Sequence, residues 1–219
     1  MAAATAPPPP PPAPPPTPEA RASAPAAATP DDVAALIARL ARPAPADTPY
    51  TEVRFVRVLK QPLVLHGELH YGGDGELGKR VDAPYRETTT ISAGKVEVRR
   101  ADKPAQHFAL ERAPELQVLL SAFSALLGGD AAGLARYYAI GAAVDGSAFR
   151  LTLTPRSPEL ARHLRAFIVA GNGNEPACFT LQQADGDASV MLLGALAAAA
   201  LPQPPTAAAL AALCEQPAQ

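Results

Sequence analysis

Residues 63–71 read LVLHGELHY, and this stretch decides the fold class. Its apolar residues at positions 63, 65, 69 and 71 alternate with His66, Glu68 and His70. Because successive side chains of a β-strand point to opposite faces, the pattern predicts a strand in a sheet with one apolar face and one polar face. An apolar face must be covered, so the elements that cover it determine what the protein does.

Further strand-like runs surround this stretch and are separated by turn signals such as Gly72-Gly73-Asp74-Gly75 and Ala93-Gly94. These runs are Tyr50–Leu59, Glu76–Val81, Tyr85–Ile91 and Lys95–Arg100. Their order predicts an antiparallel meander. A helix is expected to precede it, beginning at Asp31 and Asp32, whose carboxylates suit the N-terminal end of a helix dipole.

A second helix is predicted from Pro114. Apolar residues recur there at spacings of three and four: Leu116, Leu119, Leu120, Phe123, Leu126 and Leu127. A short helix is expected through Leu134 and Tyr138, after which strands resume with the strictly alternating run Phe149–Pro155. We therefore predict an α+β fold, in which helices cover the concave apolar face of a strongly curved antiparallel sheet.

The composition changes at both ends of the 219-residue chain. Residues 1–30 are almost entirely Ala, Pro and Thr, which is too little apolar bulk to offset the entropy of ordering. This segment is predicted to be a disordered arm with polyproline-II character, and an SH3-type ligand is the functional alternative. We expect one folded domain over residues 31–194 and an Ala/Pro-rich tail over residues 195–219 with one short helix.

Charge and hydropathy argue against two classes of partner. The net charge is −2 and there is no Trp, so neither an electrostatic nor a stacking surface for nucleic acid is expected. No apolar run has the length of a membrane span. The N-terminal residues lack a signal-peptide pattern, with no Lys or Arg before Arg21, so the protein is expected either to be cytosolic or to be exported by a signal outside this chain.

No group of residues has the spacing of a catalytic or metal site. His66 and His70 share a strand face, but positions i and i+4 of a strand lie about 13 Å apart, too far to bind one ion. The turn Asp185-Gly186-Asp187 lacks the remaining ligands of a calcium loop, and no Gly-x-Ser-x-Gly elbow is present. We predict that the protein is not an enzyme and needs neither a metal nor a cofactor.

The two cysteines, Cys178 and Cys214, also lack metal-binding spacing. In an exported protein a disulfide between them would tie the C-terminal tail to the last strands, and two inert thiols are the alternative.

Several segments, taken in order along the chain, resemble one known family. They are Phe55, residues 63–71 with Gly67, Leu69 and Tyr71 in a Gly-x-Leu-x-Tyr pattern, the run Leu77-Gly78-Lys79-Arg80, the turn at Pro84, residues 91–96 and the strand Phe149–Pro155. This combination is similar to the LolA-like family of periplasmic outer-membrane lipoprotein carriers. The resemblance covers Asp31 to Gly194, and the joint order of these degenerate motifs carries it.

The resemblance implies an incomplete β-barrel with helices as a lid over a hydrophobic cavity. It also implies a monomeric periplasmic carrier that shields the acyl chains of a lipoprotein or lipid-linked client between an inner-membrane donor and the outer membrane. The implied cavity and lid residues are Phe55, Leu65, Leu69, Leu116, Leu119, Leu120, Phe123, Leu127, Leu151 and Leu153. Arg80, with Arg86 as a second candidate, would be the latch that holds the lid shut.

Two alternatives accompany this interpretation. Any single residue of the apolar stripe on the second helix is also explained by ordinary core packing. The same half-barrel could serve a non-enzymatic sensor or regulatory domain that binds a protein partner.

Overall fold

The computed structural model describes residues 29–73 and 75–215, apart from the side chains of residues 114–116, 118 and 119. The predicted arm over residues 1–30 thus lies outside the described residues, except for Thr29 and Pro30. Within the described ranges, the strands are β1 Ala46–Phe55, β2 Leu63–Gly73, β3 Glu76–Ala83, β4 Glu87–Ser92, β5 Lys95–Arg100, β6 Lys103–Ala109, β7 Tyr138–Asp145, β8 Ala148–Pro155, β9 Leu164–Asn172, β10 Glu175–Gln183 and β11 Ala188–Leu193. The helices are α1 Pro30–Arg39, α2 Pro114–Leu127, α3 Ala131–Tyr137, α4 Pro158–Ala161 and α5 Ala207–Cys214, with 3-10 turns at Leu110–Arg112 and Gly194–Ala198.

All the strands of the described residues belong to one antiparallel sheet, in the order β6-β5-β4-β3-β2-β1-β11-β10-β9-β8-β7. Two meanders, β1 to β6 and β7 to β11, are joined where the first strand pairs with the last. Strands β6 and β7 lie at the two edges, and the sheet is not closed into a barrel. The predicted α+β fold, an incomplete barrel with covering helices, is confirmed.

We call the sheet face that contacts α1, α2 and α3 the inner face. Leu65, Leu151 and Leu153 lie on it and are completely buried against residues of these helices. The covering is densest over β7, β8 and β9, where Leu36 of α1 and Leu134 of α3 close the core. Burying side chains of this size contributes about 1.5–3 kcal/mol each, so this half of the sheet provides much of the stability.

The start of α1 follows the sequence-based prediction. Thr29 caps the helix, accepting a hydrogen bond from the backbone of Asp32, and the Asp32 carboxylate accepts one from the Thr29 backbone in return. This reciprocal capping satisfies backbone N–H groups that have no partner within the helix. The hydrogen bonds from Thr29 lower the pKa of Asp32.

Two features differ from the sequence-based prediction. The short helix expected through Tyr138 ends at Tyr137, and Tyr138 begins strand β7, where it pairs with Pro155. The Tyr138 side chain is buried in the inner core, and this burial raises its pKa to about 12. The pairing of Tyr138 with β8 therefore makes this residue part of a strand, although the local sequence pattern favours a helix.

The second difference concerns the face predicted to be polar. On β1, β10 and β11 this outer face carries a small apolar cluster that includes Val53, Val190 and Leu192. The C-terminal segment, predicted to be a tail, covers the cluster with Leu210 and Cys214 of α5. Apolar positions on both faces of these central strands explain why the sheet needs a cover on each side.

Gly67 shows why one motif residue must be small. A Cβ atom at this position would lie 1.8 Å from the Arg80 carbonyl oxygen and 3.1 Å from the Tyr50 hydroxyl. Gly67 sits opposite Tyr50 in the β1–β2 register, so its missing side chain leaves space for the buried Tyr50 ring.

Candidate functional site

A cavity of about 630 Å³ lies between α2 and the middle of the inner face. Its walls come from β1 to β4 on one side and from β9 to β11 on the other, with α2 across them. The apolar lining includes Leu69, Leu77, Ile91, Leu120, Phe123, Leu127, Phe167, Phe179, Leu181, Met191 and Leu193. The volume falls within the range of about 300–1,000 Å³ that is usual for small-molecule pockets.

Helix α2 borders both the cavity and the solid core. Ala122 and Leu126 are buried in the core, whereas Leu120, Phe123 and Leu127 line the cavity. The helix can therefore contact a guest with one part of its surface while the other part holds it to the sheet.

An aromatic cluster fixes the position of α2. The Phe123 ring lies 4.9 Å from the Phe167 ring of β9 and 5.1 Å from the Phe179 ring of β10, measured between centroids. The tilted and edge-on geometries are the ones that aromatic pairs prefer, and each such pair adds about 0.5–1.5 kcal/mol beyond burial. Phe123 thus anchors α2 at the boundary between the filled and the hollow parts of the inner face.

A group of charged side chains, which we call the Glu52 cluster, lies in the cavity wall. It consists of Glu52, Arg54 and Lys79, all on inner-face positions of β1 and β3. Lys79 Nζ donates to Glu52 Oε2 over 2.5 Å, and Arg54 donates to the same carboxylate over 2.9 Å from Nε and 3.2 Å from Nη2. The side chain of Glu52 is only 5% exposed, against 27% for Lys79 and 36% for Arg54.

The charges of this cluster follow from its contacts. Burial raises the pKa of Glu52, but Lys79 and Arg54 outweigh this effect and the net pKa is lowered. Burial lowers the pKa of Lys79, and the nearby Glu52 carboxylate opposes that shift. The Lys79 ammonium also lies 5.1 Å from the centroid of the Tyr50 ring, where a cation is attracted to the π-face. The net pKa of Lys79 is lowered, and Lys79 and Arg54 flank one shared carboxylate.

The structure brings together only some of the sequence-predicted cavity residues. Leu69, Leu120, Phe123 and Leu127 line the cavity. Leu65, Leu151 and Leu153 lie instead in the solid core of the inner face. The side chains of Leu116 and Leu119 are outside the described residues.

Phe55 is a correction to the expected cavity lining. It pairs with Ala188 at the end of β1 and packs with Val53 and Val64 in the outer-face cluster. Because inner-face residues of β1 occupy the even positions Tyr50, Glu52 and Arg54, the odd position of Phe55 places it on the opposite face.

Arg80 is a second correction. Its guanidinium lies 3.1 Å from the exposed Asp82 and 3.6 Å from the half-buried Glu68, both on the outer face, whereas α2 lies on the inner face. It cannot hold α2 closed from there. Arg86 lies in the exposed turn between β3 and β4, and its side chain has no hydrogen bond or ion pair within the described residues.

Sequence reasoning missed Glu52, Arg54 and Lys79 as cavity residues. A signal for Lys79 was present, since it lies between Leu77 and Val81 at a spacing of two residues and so belongs to the apolar face of β3. In the same way, Glu52 and Arg54 lie two and four positions after Tyr50 on β1, so they share its inner face.

The predicted polar and metal-like positions have ordinary partners. His66 hydrogen-bonds to Thr51 over 2.8 Å, and His70 contacts Asp47 over 2.6 Å. Across the described ranges, no group of three or more His, Cys, Asp or Glu residues is arranged to hold a metal ion. The same ranges include no helix with both the length and the apolar character needed to cross a membrane.

The two cysteines form a disulfide between β10 and α5. The Cα atoms of Cys178 and Cys214 are 5.6 Å apart, within the usual range. The bond joins α5 to the outer face, on the opposite side of the sheet from the cavity.

A family model described as outer membrane lipoprotein carrier protein LolA-like matches residues 22–217. No curated protein matches the sequence.

Solved structures show distant likenesses. A LolA superfamily protein from Nitrosomonas europaea is 10% identical, with 80% of this chain and 96% of that chain covered and a TM-score of 0.42. The MucA/MucB complex of Pseudomonas aeruginosa contains a chain that is 15% identical, with 74% and 55% covered and a TM-score of 0.39. LprF from Mycobacterium bovis is 10% identical, with 83% and 100% covered and a TM-score of 0.36.

Proposed function

The chain belongs to the LolA-like family of outer membrane lipoprotein carrier proteins, and on that premise we propose that it is a periplasmic carrier of acyl chains. Members of this family are binding and carrier proteins and not enzymes. In the proposed role, the cavity shields the acyl chains of a lipoprotein or lipid-linked product that the protein, as a monomer, takes from an inner-membrane donor and delivers to an outer-membrane acceptor.

The unfilled space beneath α2 is the observation that supports this proposal. Side chains of a protein core normally interdigitate and leave few voids larger than a water molecule, yet about 630 Å³ is open here between apolar walls. Each methylene that leaves water gains about 0.8 kcal/mol, so a long acyl chain gains on the order of 10 kcal/mol. A carrier needs such a space and a movable cover.

Helix α2 is the cover in this proposal, and we call it the lid. Leu120, Phe123 and Leu127 contact the guest, together with Leu69 on the opposite wall. The end of the lid is tied to the loop after α1, because the Arg42 backbone N–H donates to the Leu127 carbonyl over 2.7 Å. The lid therefore moves by displacing its N-terminal part, with the region near Leu127 as the fixed end.

Binding of a neutral apolar dye, N-phenyl-1-naphthylamine, to the purified protein tests the proposal. We expect the dye to become fluorescent in the cavity and to be displaced by long-chain acyl compounds. A protein that neither enhances the dye nor retains any acyl compound would overturn the carrier function and favour a partner-binding scaffold.

Two neighbouring threonines provide a matched pair for this test. Thr89 lines the cavity, whereas Thr88 is exposed on the outer face of the same strand. The Thr89→Trp substitution fills part of the cavity and is expected to weaken dye binding at least severalfold. The Thr88→Trp control should bind like the wild type; equal binding by both variants would place the dye elsewhere.

A substitution at Phe123 tests whether α2 acts as the lid. Phe123→Asp puts a carboxylate among the Phe167 and Phe179 rings, so we expect either loss of dye binding or loss of stability. Normal binding together with normal stability would contradict a role for α2 as the lid.

A further inference from the structure

The Glu52 cluster is unusual because it places a nearly buried carboxylate and two cations in the wall of a cavity whose lining is largely apolar. Glu52, Arg54 and Lys79 all belong to the cavity wall, and Glu52 lies opposite the apolar Met191 in the pairing of β1 with β11. Charged groups are expensive to hold in such surroundings unless they are paired. Apolar side chains on these positions would suit an acyl chain better.

The pairing within the cluster is incomplete. One carboxylate accepts hydrogen bonds from both Lys79 and Arg54, which leaves an excess of one positive charge. The other acidic residues of the cavity lining have partners of their own: Glu87 is engaged by Arg100 from β5, Asp47 contacts His70, and Glu175 lies beside Arg42. The network therefore has two cations that can each form further hydrogen bonds and one carboxylate that already accepts three.

The three side chains of the cluster also differ in how exposed they are. Glu52 is almost completely buried behind the two cations, whereas Lys79 and Arg54 keep part of their surface accessible. Lys79 is one of the cavity-lining residues, and its ammonium has three donors, of which Glu52 uses one. An anion that entered the cavity would meet donors first and would neutralise the excess charge.

We propose that the natural cargo carries an anionic head group, a carboxylate or a phosphate, which binds against Lys79 and Arg54. The alkyl chain then extends along Leu69, Phe123 and Met191 toward the lid. This inference rests on the proposed carrier function and narrows it to acidic amphiphiles. Charge-assisted hydrogen bonds to carboxylate or phosphate are the stronger ones available to these side chains.

A competition experiment with the full chain tests this inference. Dodecanoate, dodecyl phosphate and dodecanol share one alkyl chain and differ in the head group, and the affinity of each is measured by its displacement of the neutral dye. We expect both anions to bind about tenfold or more tightly than dodecanol at low ionic strength. The tighter of the two anions then identifies a carboxylate or a phosphate as the head group that the site prefers.

Variants of the cluster should change this preference in opposite directions. Lys79→Met removes the excess charge and should reduce the preference for anions to about twofold or less. Glu52→Gln increases the excess charge at nearly constant shape and should strengthen the preference. Simple damage to the fold would not produce two opposite changes while dodecanol binding stays the same.

Arg80→Met is the matched control, because it removes one positive charge from the neighbouring residue on the outer face of β3. It should leave the preference unchanged. If Lys79→Met does not fold, Arg54→Met removes the same charge from the other side of Glu52 and carries the same expectation.

Each outcome has a distinct meaning. Equal affinity for all three compounds, or a preference for anions that Lys79→Met and Arg54→Met leave unchanged, overturns the anionic-cargo inference while the carrier function stands. Failure of the dye and all three compounds to bind overturns the carrier function itself.

Discussion

The two halves of the inner face are both built from antiparallel strands, yet one is solid and the other is hollow. Over β7, β8 and β9, helices α1 and α3 insert aliphatic side chains such as Leu36 and Leu134, which are completely buried. Over β2, β3 and β4, the lid crosses a wall that includes Leu77, Lys79 and Thr89, and a cavity remains. The difference lies in which helices are available to fill each half and in how polar the facing strand positions are.

This contrast separates two tasks that compete within one small protein. A carrier must leave apolar surface without a partner, which lowers stability because lining atoms around a void lose their contacts. The filled half and the outer-face cluster under α5 supply the packing that the hollow half lacks. Stability and binding are thereby assigned to different residues, and this assignment can be tested by substitution.

The largest expected difference comes from truncating one leucine in each half. Leu153→Ala creates a new void in the solid core and should reduce the free energy of unfolding by about 3–5 kcal/mol. Leu69→Ala only enlarges a space that already exists, so we expect a loss of about 1 kcal/mol. Urea denaturation of both variants measures the two values, and losses of equal size would show that the halves are packed alike.

The second expected effect concerns the disulfide on the outer face. The bond joins residues that are 36 apart in sequence, and breaking it in a Cys178→Ala, Cys214→Ala double variant should lower the free energy of unfolding by about 3 kcal/mol. Because α5 lies across the sheet from the cavity, the affinity for the apolar dye should stay the same. A loss of dye binding under conditions where the variant is folded would show that the disulfide on the outer face affects the cavity on the inner face.

The smallest effect is a pH dependence that originates in the hollow half. The folded-state pKa of Glu52 lies below its unfolded value of about 4.3, so the carboxylate stabilises the fold above that pH. This contribution is lost as the pH falls through the folded-state pKa. We expect the difference in unfolding free energy between the wild type and Glu52→Gln to shrink between about pH 5 and pH 3.

Urea denaturation of the two proteins at several pH values measures that difference. Glu159 is also an acidic group with a lowered pKa, caused by its hydrogen bond from Ser157, but both proteins retain it, so its contribution cancels. A difference that remains constant across this range would mean that folding does not shift the pKa of Glu52.

Local patterns predicted much of the fold. The alternation in residues 63–71 gave strand β2, the acidic start at Asp31 gave α1, and the spacing from Pro114 gave α2. The Gly-x-Leu-x-Tyr pattern has a structural reason, since Gly67 leaves space for the Tyr50 hydroxyl. The periodic patterns depend on residues within a few positions of one another, and a sequence displays them directly, whereas the reason for Gly67 is a contact with another strand.

The candidate site was predicted only in part. Leu69, Leu120, Phe123 and Leu127 do line the cavity, but Leu151 and Leu153 have the same alternating pattern and lie in solid core. An apolar inner-face position appears the same in sequence whether a helix fills the space above it or leaves it empty. That choice depends on how distant helices pack.

Most strands and helices, and for most strands the face that each side chain occupies, follow from local patterns, because the periods of two and of about 3.6 residues are local properties of the backbone. The position of the cavity, the outer-face location of Phe55 and Arg80, and the meeting of Glu52, Arg54 and Lys79 in one wall depend on long-range packing. Glu52 and Lys79 are 27 positions apart and are joined only by the pairing of β1, β2 and β3. Contacts of this kind depend on sheet register and helix placement, which a single sequence does not display.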